Sequence, residues 1–179
     1  PQPAQAEQRR AALPLSWGTL ALRCVLMLIP CLLLLEAVPA YLPVTHVPTG
    51  SQIPAVYQWL ASHGGQQPIA ELPIANGNQG FTSKDEAWYD YYAIYHPHPI
   101  VNGWSGYRPP LTWQIAGLLQ TFPSQESLHM LRSYHIHYVV VHLQLYSPDA
   151  ASTLRARLEA SPDLQRNAVF GSDSVWQVR

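Results

Sequence analysis

Apolar residues are distributed very unevenly along the chain. Within residues 13–44 the charged side chains are those of Arg23 and Glu36, and residues 24–35 form an apolar run that contains one proline. Residues 21–41 supply about the 20 positions that a helix needs to cross the hydrocarbon core of a bilayer. The pattern therefore predicts one N-terminal transmembrane helix.

Beyond this run, shorter apolar patterns follow either the helical or the strand period. Helical spacing marks residues 53–60, and a histidine followed by two glycines is expected to end that helix. The apolar segment 68–74, with Glu71 near its middle, predicts a buried strand. The Val-rich segment 136–143 is apolar almost throughout, which is typical of a strand in the middle of a sheet.

Capping signals predict further helices. Ser83 is followed by Glu86 three residues later, which resembles a capping box, and Ser124 is expected to cap another helix. The helices predicted in this part of the chain span residues 84–95, residues 111–120, the segment after Ser124 and residues 147–160. Two short strands, 167–170 and 175–178, flank a Gly-Ser-Asp turn. Together these elements predict a layered α/β domain with a mixed sheet.

The sequence divides into four segments. Residues 1–12 are polar and rich in Ala and Gln, which is typical of a flexible N-terminus. Residues 13–44 hold the transmembrane helix and its flanks, and residues 45–54 contain prolines that indicate a stiff linker. Residues 55–179 are expected to form the α/β domain.

Basic residues indicate the orientation of the predicted helix. Arg9 and Arg10 precede it, so the positive-inside rule places the N-terminus in the cytoplasm and the domain outside. We therefore expect a single-pass protein of the cell (inner) membrane, in contact with lipid, with a periplasmic C-terminal domain. A secretory signal peptide is the alternative, because Val38 and Ala40 have the spacing of a cleavage site that would leave Tyr41 as the mature N-terminus.

Three residues of the predicted helix are candidates for contacts with other membrane helices. An unpaired carboxylate in lipid is costly, so Glu36 either meets a polar partner on a neighbouring helix or lies shallow enough to be hydrated. Cys24 and Cys31 are seven residues apart and share one helix face, where we expect them to pack rather than to form a disulfide.

Charge and motif content exclude several classes of function. From residue 45 onward the sequence contains seven Lys and Arg against nine Asp and Glu, which offers no basic stripe for nucleic acid. The His-x-His pairs 96/98 and 135/137 lack a third ligand at a fixed spacing. Motifs for haem attachment, phosphate binding and an activated serine are absent from the sequence. The sequence therefore predicts no metal, no cofactor and no catalytic residue.

Residues 96–110 form the segment in which we expect a binding site. Four prolines and two glycines in fifteen positions preclude a helix and indicate a rigid loop. Five aromatic residues between 88 and 95 exceed what one buried helix face needs, so some either line a groove or pack under the loop. The candidate binding residues are Glu71, Tyr92, His96, His98, Asn102, Trp104, Ser105, Tyr107 and Arg108.

Glu71 permits two interpretations. It could form a carboxylate pair with Asp90 for acid/base chemistry, with His96 or His98 as the proton carrier. Alternatively, it accepts hydrogen bonds from the backbone or from tyrosines and so pins the loop. We favour the second interpretation, because no spacing in the sequence fixes the distance between the two carboxylates.

Six short motifs follow one another between residues 53 and 142. They are Tyr57-x-Trp59-Leu60, Glu71-Leu72-Pro73, Tyr91 to His96, Pro99 to Tyr107, Phe122-Pro123 and Tyr138 to His142. This succession resembles the extracytoplasmic C-terminal part of bacterial polytopic membrane proteins of uncharacterised function. Those proteins are related to the GT-C class of lipid-linked-sugar glycosyltransferases and are similar to the dolichyl-phosphate-mannose mannosyltransferases. The most specific motif is Asn-Gly-aromatic-Ser-Gly-aromatic, at residues 102–107.

The resemblance implies a module without catalytic activity of its own. In the GT-C class the catalytic carboxylate lies on an early extracytoplasmic loop among many membrane helices, whereas this sequence predicts one helix. We therefore expect a membrane-anchored binding or interaction module whose ligand is a glycan, a lipid-linked sugar or a protein. The alternative is a single-span accessory subunit of a larger membrane complex, such as a photosynthetic or respiratory complex.

Overall fold

A computed structural model describes residues 17–38, 44–63, 65–76 and 85–179. Contacts divide the chain into two compact units, Pro1–Val47 and Pro48–Arg179. The predicted flexible segment 1–12, the cap at Ser83 and the cleavage-site residue Ala40 lie outside the described residues.

The first unit contains one long helix, α1, at Trp17–Ala37. It has 21 residues, encloses Pro30 and is long and apolar enough to cross a membrane, as the sequence predicts. None of its side chains is buried within the protein, and its two cysteines are free thiols. Glu36 lies in its last turn.

The second unit is built on a four-stranded mixed sheet, which confirms the predicted α/β class. Its strands are β1 (Ile69–Leu72), β2 (Tyr138–His142), β3 (Leu164–Phe170) and β4 (Asp173–Val178), in the spatial order β1-β2-β4-β3. β1 and β2 are parallel, and the other two pairs are antiparallel. The Val-rich strand β2 lies inside the sheet between β1 and β4, as predicted, and both of its faces are covered.

Five helices flank this sheet in the described part of the second unit. They are α2 (Ala55–Ser62), α3 (Ala87–Tyr92), α4 (Pro110–Leu119), α5 (Gln125–Ser133) and α6 (Pro148–Ala160). Ser124 starts α5 through a capping box with Ser127, and the Ser147 side chain accepts a hydrogen bond from the backbone N–H of Ala150 in α6. The predicted helix 84–95 is shorter than expected, because α3 passes into a 3-10 turn at Ala93–Tyr95.

The two faces of the sheet carry separate hydrophobic clusters. Val139 and Val141 point towards the cluster that contains α4, α5 and α6, whereas Val140 points towards α2. This division follows from the two-residue period of a strand. The face that α2 covers also carries the ionisable residues described next.

Candidate functional site

Alternation along the strands brings three ionisable side chains to one face of the sheet. Glu71 is aligned with Val140 in the parallel pair, and His142 is aligned with Asp173 in the antiparallel pair β2/β4. Side chains two positions apart on a strand share a face, so His142 lies on the same side as Val140 and Glu71. The register of the sheet, rather than any local spacing, therefore assembles this group.

Direct contacts join these side chains to a tyrosine of α2. The Tyr57 hydroxyl donates a hydrogen bond of 2.7 Å to Glu71 Oε2, and His142 Nε2 lies 3.0 Å from the same oxygen. On its other side, His142 Nδ1 lies 2.9 Å from Asp173 Oδ1, which also accepts a hydrogen bond of 2.7 Å from the Gln144 side chain. We call Tyr57, Glu71, His142 and Asp173 the buried polar cluster.

The buried polar cluster holds His142 as an imidazolium cation. Both of its ring nitrogens face carboxyl oxygens, which in the ionised state only accept hydrogen bonds, so both nitrogens act as donors towards the charged carboxylates. Burial acts to lower the pKa of His142, but the hydrogen bonds and charges of Asp173 and Glu71 outweigh it and raise the pKa to about 9. Burial and the Glu71 charge raise the pKa of Tyr57, which keeps its hydroxyl a donor. His142 therefore has no free lone pair with which to act as a base.

The first half of the 96–110 loop extends the sheet at the open edge of β1. The Ile69 N–H donates to Pro99 O at 2.9 Å, and the Val101 N–H donates to Ile69 O at 3.0 Å. The Asn102 side chain continues this ladder, because its amide accepts from the Glu71 N–H at 2.7 Å and donates to Glu71 O at 2.6 Å. The backbone of Glu71 thus holds the loop, while its carboxylate belongs to the buried polar cluster.

Arg108 fastens the second half of the loop. Its guanidinium forms an ion pair with Glu86 and donates hydrogen bonds to Ala75 O at 3.0 Å and to Gly103 O at 3.1 Å. Glu86 is fully buried and also accepts a hydrogen bond of 2.9 Å from the Ala75 N–H. Burial lowers the pKa of Arg108. Because Arg108 and Glu86 are each bonded in several directions, the second half of the loop is rigidly placed.

The two histidines of the loop are both buried but have different surroundings. His98 bridges the backbone, with Nδ1 at 2.9 Å from Gln67 O and Nε2 at 2.8 Å from His63 O. Neither ring nitrogen of His96 makes a well-formed hydrogen bond, although it has a loose contact with the His98 backbone. Burial is the main cause that lowers the pKa of His96, which favours the neutral ring. Among the described residues, no group of three or more His, Cys, Asp or Glu is arranged to hold a metal ion.

The tip of the loop is exposed, in contrast to its base. Trp104 and Tyr107 are 54% and 72% exposed, and Ser105 lies between them, also exposed. Asp90 of α3 accepts a hydrogen bond of 2.7 Å from the Trp104 N–H. These residues line a groove of about 260 Å³, together with Val101, Asn102, Gly103, Arg108, Pro109 and Thr112. We call it the loop groove.

Gly103 sets the shape of the loop groove. Its φ of +144° is rare for residues with a side chain, and a Cβ at this position would lie 2.6 Å from Asp90 Oδ1. We expect Gly103→Ala to lower the free energy of unfolding by about 1–3 kcal/mol, because it adds backbone strain and displaces the carboxylate that holds Trp104. Denaturant unfolding of the full chain in mild detergent measures this loss.

Gly106→Ala is the matched control for that substitution. Nothing lies within 4 Å of a Cβ at Gly106, so we expect a change of no more than about 0.5 kcal/mol. Equal effects of the two substitutions would contradict the proposed role of Gly103.

A second cavity, of about 380 Å³, opens beside the buried polar cluster. Four aromatic side chains line it: Tyr57, Trp88, Tyr89 and Tyr92. The Tyr57 and Tyr92 rings stack with centroids 4.4 Å apart, and Tyr89 stacks on the His142 ring at 5.3 Å. Asp85, His142, Gln144 and Asp173 are polar residues in its lining. The aromatic residues of α3 therefore line a cavity as well as packing against one another.

The structure separates the predicted binding residues into two groups. Five have buried side chains, which make hydrogen bonds or an ion pair in four cases and, in His96, no well-formed hydrogen bond: Glu71, His96, His98, Asn102 and Arg108. Trp104, Ser105 and Tyr107 are exposed at the loop tip, and the half-buried Tyr92 lines the cavity beside the buried polar cluster. Glu71 and Asp90, considered above as an acid/base pair, are bound to different partners.

Sequence reasoning assigns four residues to local patterns and misses the side-chain contacts that make them central in the structure. In the sequence Tyr57 is part of a helical pattern, Glu86 is a capping residue, Asp173 is part of a turn and His142 is an additional histidine. The available signal was Glu71, because an acidic residue between Ala70 and Leu72 in an apolar segment requires a partner when that segment is buried. Glu86 follows Asp85 in the sequence and gave no such signal.

Comparison of the chain with protein-family models and with curated protein sequences gives no match. A solved structure that is similar to it is the C-terminal globular domain of an oligosaccharyltransferase from Archaeoglobus fulgidus. The alignment covers 70% of this chain and 95% of that one, with 12% sequence identity and a TM-score of 0.41. A likeness of this extent establishes neither the family nor the activity of this chain.

Proposed function

We propose that this chain is a membrane-anchored extracytoplasmic module that binds a glycan or a lipid-linked sugar at the loop groove. The observation that carries the proposal is the contrast between the fixed base of the loop and its exposed tip. Asn102 and Arg108 bind the base to the sheet edge and to buried Glu86, while Trp104 and Tyr107 face solvent. Because the backbone that carries these aromatic side chains is already fixed, the loop loses little conformational entropy on binding.

The chemistry of the loop groove suits a polyhydroxylated ligand. The faces of Trp104 and Tyr107 offer apolar surfaces on which a sugar ring can pack. Asp90, Ser105 and Thr112 supply oxygen atoms that can exchange hydrogen bonds with hydroxyl groups. We assign no catalytic step to these residues, in keeping with the expectation from sequence that the module binds rather than reacts.

The proposed cellular location and orientation follow from α1 and from the positive charges that precede it in the sequence. A helix of this length and composition can anchor the chain in the inner membrane. With Arg9 and Arg10 on the cytoplasmic side, the second unit would be periplasmic.

Substitution of the tip residues tests the binding proposal. We expect Trp104→Ala and Tyr107→Ala each to weaken binding at least about tenfold, because exposed aromatic anchors carry much of the energy of such contacts. The measurement is titration of the full chain in detergent with soluble oligosaccharides and with a short-chain polyprenyl-phosphate-linked sugar.

Tyr134→Ala is the control, since Tyr134 is an exposed aromatic residue outside the loop groove. It should leave the affinity unchanged. Unchanged affinity in the two tip variants, together with lower thermal stability, would show instead that the loop is only a scaffold.

A single-span accessory subunit of a larger membrane complex is the second candidate function. The observation that favours it is the carboxylate of Glu36 at the end of an apolar helix that also carries Cys24 and Cys31. A partner helix would satisfy that carboxylate and cover the two thiols. Stable co-purification with other membrane proteins, lost on Glu36→Leu, would support this candidate; purification as a single species would oppose it.

A further inference from the structure

The outward face of α4 is apolar, although nothing in the described structure covers it. Ile115, Ala116 and Leu119 point into the core. The exposed side carries Leu111 and Trp113, which are 42% and 46% exposed, together with Pro110, Gln114 and Gly117. No residue of the helix is charged. We call this exposed side the α4 face.

Two other helices of the same unit, α5 and α6, carry charged residues on their exposed sides. The exposed side of α6 carries Arg155, Arg157 and Glu159. A helix of a water-surrounded domain normally combines one apolar face with one charged face, as α6 does. The α4 face departs from that pattern, and exposed apolar surfaces of this kind mark contacts with a partner or a membrane.

We propose that the α4 face lies on the lipid surface of the membrane in which α1 is anchored. This inference rests on the membrane anchoring in the proposed function. Trp and Leu next to a proline-rich loop match the composition of segments at the boundary between water and lipid, where the indole ring is favoured. Ten residues, 38–47, connect α1 to the second unit in the sequence, so membrane anchoring of α1 would keep this unit at high local concentration near the bilayer.

The α4 face has no charged residue, which favours binding to lipid through burial of its apolar side chains. Arg108 is a cation beside this face, and its guanidinium carbon lies 5.2 Å from the centre of the Trp113 ring. That guanidinium is already neutralised by Glu86, so the face offers no free positive charge to anionic lipids. Docking should therefore occur on zwitterionic lipid and should change little with salt.

The position of α4 connects the inferred docking to the loop groove. Pro109 and Thr112 line that groove, and they lie at the start of the same helix. A docked α4 face would bring the groove to the level of the lipid headgroups. A ligand carried on a lipid could then reach it without leaving the membrane.

Spin labels in proteoliposomes of phosphatidylcholine test the inference. One label is placed on native Cys31 of α1 in a Cys24→Ala chain. Two others are placed at Gln114→Cys and Ala156→Cys in chains that also carry Cys24→Ala and Cys31→Ala. Gln114 lies on the α4 face, and Ala156 is an exposed residue of α6. Each label is probed for collision with oxygen, which concentrates in lipid, and with a nickel chelate, which remains in water.

We expect the labels at positions 31 and 114 to favour oxygen and the label at 156 to favour the nickel chelate. Trp113→Asp should return the label at 114 to water, whereas Tyr134→Asp should not. High salt should leave all three accessibilities unchanged. These results together would establish contact between the α4 face and lipid.

Three other outcomes would overturn the inference. If the label at 114 behaves like that at 156 while the label at 31 lies in lipid, the α4 face is not docked but the anchoring stands. If the label at 31 also lies in water, the anchoring of the proposed function fails as well. If the label at 114 is shielded from both reagents and broadened by neighbouring spins, the α4 face contacts a second copy of the chain instead of lipid.

Discussion

His142→Ala is expected to lower the free energy of unfolding by about 3–5 kcal/mol at pH 6. The substitution removes the cation between Glu71 and Asp173 and leaves two carboxylates without their shared partner. Glu71 is fully buried, so its charge cannot be compensated by water. Removing one partner of a buried ion pair typically costs this much, because the other charge is left unpaired.

The stability of the unaltered protein should depend on pH through the same residue. The pKa of His142 is raised to about 9 in the folded protein, from an ordinary value near 6.5. A raised pKa stabilises the folded state fully below about pH 6.5, and this contribution is lost as the pH rises through 9. A difference of about 2.5 units corresponds to about 3 kcal/mol.

Asp173 is expected to cause a loss of folding stability at low pH. Burial acts to raise its pKa, but the hydrogen bond and charge of His142 outweigh burial and lower it. A lowered pKa stabilises the folded state above the ordinary value of an aspartate, and this contribution is lost as the pH falls through the folded value. The two residues together therefore place the plateau of stability in weakly acidic solution.

Denaturant unfolding of the full chain in detergent between pH 5 and 9.5 measures the cost of His142→Ala and the loss of stability as the pH rises through 9. The cost of His142→Ala should shrink as the pH rises through 9, because the unaltered protein then loses the same cation. His63→Gln is the control, since His63 is exposed and should leave the slope in place. An equal slope in the His142 variant and the unaltered chain would show that another group causes the pH dependence.

The elements of the fold were predictable because their signals are local. Ser124 and Ser147 start helices through hydrogen bonds to backbone N–H groups only three residues away. The run Val139 to Val141 indicated a central strand because apolar residues on both faces require cover on both sides. Such signals depend on neighbours in the sequence, so they can be recognised without knowledge of the tertiary structure.

The buried polar cluster was not predictable, because it depends on contacts between distant residues. Glu71 and His142 are 71 positions apart, and the register of β1 against β2 alone decides whether their side chains meet. Regular spacing drew attention to His96 and His98, yet each of these faces backbone or apolar surroundings. A histidine gains its role from the groups around it, which sequence spacing does not give.

The candidate binding site was predictable only in part, because some of its features are local in sequence and others depend on contacts between distant residues. The composition of residues 96–110 indicated a shaped loop, and the structure shows which part is fixed and which is exposed. Arg108 illustrates the limit, because in sequence it could have been a ligand contact. Its ion pair with Glu86, 22 positions earlier, instead places it in the support of the loop.

Arg108→Ala is expected to lower the free energy of unfolding by about 3–5 kcal/mol and to loosen the loop tip. The side chain of Arg108 is 7% exposed and that of Glu86 is fully buried, so the substitution leaves an uncompensated buried carboxylate. It also removes the hydrogen bonds of Arg108 to Ala75 O, which lies after β1, and to Gly103 O within the loop. Denaturant unfolding gives the loss of stability, and the near-UV circular dichroism of the tip tryptophan reports the loosening.

Two further variants separate the buried pair from surface charge in general. Glu159→Ala breaks the exposed pair with Arg166, whose side chains are both 51% exposed, and should cost no more than about 1 kcal/mol. The double variant Glu86→Leu with Arg108→Met should recover much of the stability lost in Arg108→Ala, because no buried charge remains unpaired. The double variant should not restore the order of the loop tip, because a methionine side chain has no hydrogen-bond donor for Gly103 O. Recovery of both properties would show that the bonds of Arg108 to the backbone are dispensable and that the loop is placed by packing alone.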